Sequence, residues 1–333
     1  METLAYLVGI SLVALALFDV YRTVLANGTG RGPIESKLSH WTWLSLRSLG
    51  RELGKQSATA TMCGPLIVAL LLAAWSATLM LGFAFVYWPQ LGVGIQSSSH
   101  ASLESFAFAF YYSGYTLTTL GLGDLYPASS LLRTLTVAQS WLGFTMLTLS
   151  ISYVLSVYQA IRQQEGTALK PHALSKGTGK ARQAFQCLRD SSDPASVFRE
   201  MHADFVTMHT SHHLYPVIHY FHREREKYST TRIFYLALEV TSLKLAQTET
   251  SGRAEAEQCW VTLEDSVREF AMMITGEQSS GAPQSEPSRE NITPEEFSDA
   301  RDFDLETYLE KRGRWEPQLR EICRYLDEEW PEE

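Results

Sequence analysis

No Asp, Glu, Lys or Arg occurs between Lys55 and Glu104. The apolar core of that stretch, residues 65–88, exceeds the ~20 residues a helix needs to cross a bilayer. A second uncharged run, residues 135–161, is also long enough to span. A third candidate, residues 3–25, opens the chain and carries Asp19 and Arg22 near its end. A signal peptide begins with positive charge and ends at a small-x-small cleavage site. This segment begins Met1-Glu2 and has no convincing site of that kind, so it reads as a first membrane helix. Asp19 and Arg22, at i and i+3, can pair or snorkel at the interface. These spans predict an all-α membrane protein with three transmembrane helices.

Loop charge orients them. The connection 26–59 holds Arg31, Lys37, Arg47, Arg51 and Lys55, whereas the connection 89–127 holds no Lys or Arg. By the positive-inside rule the first loop is cytoplasmic and the second external. The expectation is a multi-pass protein of the plasma membrane, N-terminus outside and C-terminus cytoplasmic. In the first loop, Trp41, Trp43, Leu44, Leu46 and Leu49 stand beside Lys37, Arg47 and Arg51. That pattern fits a helix lying on the inner leaflet or a partly ordered connector. The formal net charge is −9, but residues 277–333 alone carry −10 and residues 1–165 are near neutral. No segment offers a basic surface able to track phosphates, so no nucleic-acid partner is expected. The cysteines Cys63, Cys187, Cys259 and Cys323 are isolated, which suits a reducing cytoplasm and excludes a C-x-x-C zinc framework.

The external connection carries the most distinctive chemistry. From about Ser102 to Thr118 the chain is apolar and aromatic, with Glu104 near its start, where a carboxylate suits a helix N-terminus. It is too short to cross the membrane in addition to the glycine-containing run after it, so it predicts a re-entrant half-helix buried in protein. In that run Gly121 and Gly123 alternate with Leu120 and Leu122. Glycine reaches positive φ without penalty, so successive carbonyls can turn to one side. A column of carbonyls from Thr119, Leu120, Gly121, Leu122 and Gly123 can replace the hydration shell of a monovalent cation, with Asp124 at the outer mouth. The two leucine side chains are expected to point away into an aromatic cuff.

The run Thr116-Leu117-Thr118-Thr119-Leu120-Gly121-Leu122-Gly123-Asp124 resembles the potassium-channel signature T-x-T-T-V-G-Y-G-D. The resemblance covers roughly residues 65–161. It implies K+ as the permeant ion, with sites made by the carbonyls of residues 119–122 and the Thr119 hydroxyl. Tyr111 and Tyr112 resemble the aromatic pair on the family's pore helix, and Gly143 lies where the family often has a hinge glycine. Two departures stand out: Leu120 and Leu122 replace Val and Tyr, as in some two-pore-domain filters, and Tyr115 stands where some relatives carry glutamate. A single filter segment without an internal repeat cannot enclose an ion alone, so a homotetramer is implied rather than a four-loop transporter. On the last span Thr145, Thr148, Ser152 and Ser156 share one face. They read as pore lining, or as small polar residues bonded to neighbouring helices or their own backbone.

The remaining chain predicts a cytoplasmic helical domain. Residues 1–60 hold the first helix and basic loop, 61–162 the pore domain, 163–194 a polar linker with a short helix near 181–188, and 195–276 three or four amphipathic helices. Residues 277–292 read as a disordered linker and 293–333 as an acidic helical tail. No helix repeats Arg or Lys every third residue, so no voltage sensor is expected. No G-x-G-x-x-G follows a strand pattern, so no nucleotide partner is expected, and no nucleophile–base pattern suggests an enzyme. Six of the nine histidines fall between His202 and His222. His209, His212 and His213, with His219 and His222, are candidates for a divalent metal site or a proton sensor, against the plainer reading of a His-rich helical surface. The alternative function is therefore a membrane-anchored metal or pH sensor whose pore conducts weakly.

Overall fold

The computed structural model describes residues 2–26, 32–54, 56–98, 105–221, 229–275, 303–326 and 328–331. It is an all-α membrane protein. Among the described residues three helical stretches are long and apolar enough to cross a membrane: Glu2–Leu25, Ala58–Gln90 and Ser130–Leu174. The chain forms two compact units, Met1–Gln159 with Leu214–His222, and Ala160–His213 with Arg223–Glu333.

In the first unit α1 (Glu2–Val20) ends in a π-helical turn at Tyr21–Leu25, and α2 (Pro33–Leu53) comes next. The basic loop is thus helical over Pro33–Leu53. Its Trp43 is buried, while Trp41 on another face is 65% exposed. Next come α3 (Gln56–Tyr87), a short pore-loop helix α4 (Phe106–Leu117) and the long α5, Ser130–Leu174. Helices α1 and α3 touch through glycine: a Cβ on Gly9 would lie 2.6 Å from the Gly82 carbonyl oxygen. Small residues at such crossings let backbones approach and gain van der Waals contact where lipid offers no hydrophobic drive. Strands β1 (Ile95–Ser97) and β2 (Leu125–Pro127) pair antiparallel, Gln96 opposite Tyr126, one before α4 and the other after the Thr118–Asp124 turn.

With 45 residues, α5 is about 68 Å long, more than twice the hydrocarbon thickness of a bilayer. It continues through the stretch expected to be linker as far as Leu174. Ala168, in that stretch, sits in the core of the second unit, and this burial holds the helix past Gly166. The second unit also contains α6 (Ala181–Arg189), α7 (Pro194–Leu214), α8 (Thr230–Leu245), α9 (Arg253–Thr275) and α10 (Leu305–Leu326). Helix α8 is buried on all sides: apolar residues dominate from Ile233 to Leu245, and the polar Glu239, Thr241, Ser242 and Lys244 among them are buried as well. Helix α10 falls in the stretch expected to be an acidic helical tail, and one of its faces is buried: Trp315, Leu319, Ile322 and Leu326 lie in the common core with α8 and α9. The expected linker 277–292 and the first part of that tail lie outside the described residues.

Candidate functional site: the pore loop

Ser105 caps α4, its side chain accepting from the Ala107 N–H at 3.2 Å. Glu104, expected near that end, lies outside the described residues. One aromatic face of α4 then packs against α3 and the turn that follows it, while Phe108 and Tyr111 stay exposed. Tyr112 meets Tyr87 edge to face at 4.9 Å, and Phe106 meets Phe85 and Trp88 at 5.0 and 5.4 Å. Such pairs add about 0.5–1.5 kcal/mol each beyond their buried area.

Polar bonds then fix the helix in rotation and depth. Ser113 Oγ donates to the Met80 carbonyl at 2.7 Å, tying α4 to α3. Gln139 of α5 donates to both the Ser113 carbonyl and its hydroxyl, at 3.0 and 2.9 Å. Ser140 donates to the Thr116 carbonyl at 3.1 Å, and the Tyr112 and Thr136 hydroxyls are 2.7 Å apart. Gly143 completes the seat. A Cβ there would lie 1.9 Å from the Leu117 carbonyl oxygen, so α5 passes directly against the end of α4. In this structure Gly143 is a contact glycine within an unbroken helix.

The turn after α4 has alternating handedness. Thr119, Gly121 and Gly123 all have positive φ, at 59°, 59° and 76°. The two glycines adopt this freely, whereas Thr119 is β-branched and rarely does so. Its conformation is held by bonds of the peptide N–H groups. Thr119 N–H donates to the Thr116 carbonyl at 3.1 Å, and Leu120 N–H to the Tyr115 carbonyl at 2.9 Å. In a trans peptide the N–H and the preceding carbonyl point opposite ways. Tying these N–H groups to the end of α4 therefore directs the carbonyls of Thr118 and Thr119 away from it. Beyond the turn, Ser98 N–H donates to the Asp124 carbonyl at 2.9 Å, which extends the β1–β2 ladder to the last residue of the motif. The Tyr115 hydroxyl donates to the Leu125 carbonyl.

Leu120 and Leu122 are 64% and 53% exposed in the single chain. The aromatic cuff expected around them is not formed within the single chain, whose aromatic residues pack between α4 and α3 instead. On α5 the hydroxyls of Thr145 and Thr148 donate to the carbonyls four residues earlier, at 2.9 and 3.1 Å. Of the residues expected to line the path, Thr148 and Ser152 are exposed and Thr145 half-buried. A stripe of large apolar side chains on the same helix, including Val137, Trp141, Phe144, Ile151 and Leu155, is also open in the single chain.

The histidines do not converge. Among the described residues no three His, Cys, Asp or Glu side chains are arranged to hold a metal ion. The i, i+3, i+4 spacing on α7 sends its members to different surroundings. His209 lies 3.0 Å from Ser266 Oγ and 3.4 Å from the Glu269 carboxylate, both on α9. His212 is buried edge-on to Phe270 at 5.9 Å, and His213 is exposed. His219 belongs to the other unit, and His222 lies outside the described residues. The four cysteines are free. Burial pushes the Cys259 and Cys323 thiols up to about 12, so both stay protonated at neutral pH.

A short helix strapped between two spanning helices, with a turn of alternating hand at its end, defines a membrane protein with a pore loop. Residues 67–160 match a family described as "Ion channel" (Ion_trans_2). The chain is also 28% identical, over 225 residues, to a protein of Bacillus subtilis (strain 168) named "Uncharacterized membrane protein YdjJ". That alignment covers 67% of this chain and 64% of the relative, so the chain spans less than two thirds of the relative's length. No solved structure gives a significant match.

Proposed function

We propose that this chain is the subunit of a potassium-selective channel of the plasma membrane, four copies surrounding one axis. The observation that carries the reading is the alternation of positive φ at Thr119, Gly121 and Gly123 while the N–H groups at its start are held by α4. Residues 119–123 then offer backbone oxygens in place of ion hydration, with the Thr119 hydroxyl at one end and Asp124 at the other. One loop contributes one quarter of such a cage, and the open leucines and apolar α5 stripe are surfaces that neighbouring copies can cover. With the loop that lacks Lys and Arg outside, the N-terminus is external and the helical domain cytoplasmic.

Flux from liposomes containing the purified chain tests this. K+ and Rb+ are expected to pass and Na+ to be excluded. Gly121→Asp, which puts a side chain and a charge where φ is positive, is expected to abolish flux without changing particle mass. A particle mass of one or three subunits in detergent, or K+ flux that survives this substitution, ends the reading.

A further inference from the structure

Residues 215–221 lie in sequence between α7 and α8 of the helical domain, yet they pack as part of the membrane unit. Pro216 opens a 3-10 turn, Pro216–Tyr220, that presents side chains to three helices. Val217, Ile218 and Tyr220 are buried. The Tyr220 ring lies 6.1 Å from Trp43 of α2. The Tyr215 ring meets Tyr153 of α5 edge-on at 6.2 Å, and Phe221 meets Tyr158 of α5 at 6.1 Å. Phe221 also lies flush on α3: a Cβ added at Gly64 would be 2.4 Å from its Cδ2. The contact continues inward, because Tyr153 packs against Trp75, whose indole N–H donates to Asp19 of α1 at 2.7 Å.

We propose that this segment is a strap through which the helical domain controls the pore, seated in an aromatic receptor built from α2, α3 and α5. The occupant is the chain's own residues 215–221, tethered at both ends to the helical domain. Tyr153 and Tyr158 lie on the same unbroken helix that carries Gly143 against the end of α4. A shift of the strap is therefore passed along α5 to the carbonyl of Leu117, two residues before Thr119. Packed helices change between discrete arrangements rather than deforming continuously, so seating or release of three packed rings selects between two positions of α5.

The inference rests on the channel reading, and one experiment separates the two. The full chain carrying Cys63→Ala, Gly64→Cys and Phe221→Cys is reconstituted in liposomes. A Cβ at 64 would lie 2.5 Å from Phe221 Cγ. Cγ is one bond of about 1.5 Å from its own Cβ, so the two Cβ atoms fall within about 4 Å, the span of a disulfide. Oxidation is expected to link the pair, seen by mass spectrometry of the joined peptides. K+ flux of the linked protein is expected to differ from that of the reduced protein by about fivefold or more, with K+ preference unchanged. No linkage overturns the seating. Linkage with equal flux overturns the control of the pore and leaves the channel reading intact. Wild-type protein that passes no ion overturns the channel reading, and the strap's role with it. If the triple variant does not assemble, Phe221→Ala and Tyr215→Ala serve, each expected to shift flux by the same factor; unchanged flux in both overturns the proposal.

Discussion

With leucine at 120 and 122, the turn has no tyrosine of its own to brace it, and Tyr115 takes up the position from behind. Its hydroxyl bonds the carbonyl of Leu125, so one side chain joins the helix before the turn to the strand after it. Tyr115→Phe removes that bond alone, worth about 0.5–1.5 kcal/mol. It is expected to leave expression and particle size unchanged and to lower the K+/Na+ flux ratio several-fold. An unchanged ratio would mean that the β1–β2 ladder and the N–H bonds of Thr119 and Leu120 hold the turn without the Tyr115 hydroxyl. Gly143 permits a sharper decision. Were it only a flexible point in α5, Gly143→Ala would stabilise the helix by about 1 kcal/mol and raise the melting temperature. A methyl 1.9 Å from the Leu117 carbonyl oxygen meets backbone that no rotamer can move. Overpacking of that kind costs about 1–3 kcal/mol, so the melting temperature of Gly143→Ala is expected to fall, and flux with it. The sign of the shift decides between hinge and contact.

At the scale of elements, α2 explains why a sequence pattern can be plain and its outcome open. Its amphipathic tryptophans were legible, but the residue that precedes it, Gly32, has no side chain to cap it. The cap comes from Asp19 of α1, whose carboxylate accepts from the Ile34 N–H at 2.6 Å and from Trp75 Nε1 at 2.7 Å. A Cβ on Gly32 would collide with that carboxylate, so the glycine is what admits it. A capping partner fifteen residues upstream lies beyond any local signal. Pairing or snorkelling was the expectation for Asp19; full burial with two N–H donors is what it does. Asp19→Asn turns one acceptor oxygen into a donor facing an N–H, leaving a buried group unmet at about 1–3 kcal/mol. Thermal unfolding in detergent is expected to move down by that amount, and Gly32→Ala is expected to move it the same way by displacing the carboxylate. A wild-type midpoint for both would remove Asp19 as the cap.

At the scale of the whole molecule, the parts read correctly are those whose signal is local and repetitive: three apolar spans, and the pore loop between two of them. What escaped is what distant chain supplies. Strands of three residues are too short to show alternation. The positive φ of Thr119 depends on carbonyls of α4, and the strap's aromatic residues find partners on α2, α3 and α5. The acidic C-terminal segment was legible as helix, but its net charge drew attention away from an apolar repeat. Tyr308, Arg312, Trp315, Leu319, Ile322 and Leu326 recur every three or four residues and are all buried. The polar groups of that face are matched inside: Arg312 Nη1 lies 3.3 Å from Glu239 of α8 and donates to Tyr308 at 2.7 Å, while its Nε donates to Glu316 at 2.8 Å. Trp315 Nε1 donates to Ser242 of α8 at 3.2 Å. A solvated tail would tolerate almost any change, whereas an integral helix would not. Trp315→Ala removes a fully buried indole and its bond, a loss of about 3–5 kcal/mol. Glu310→Gln, on the exposed face, is expected to stay within about 0.5 kcal/mol of wild type. Hydrogen exchange on the full chain reads the difference: protection of α8 and α9 amides is expected to fall by orders of magnitude in Trp315→Ala and to hold in Glu310→Gln. Equal protection in both would return α10 to solvent and leave the second unit without its last helix.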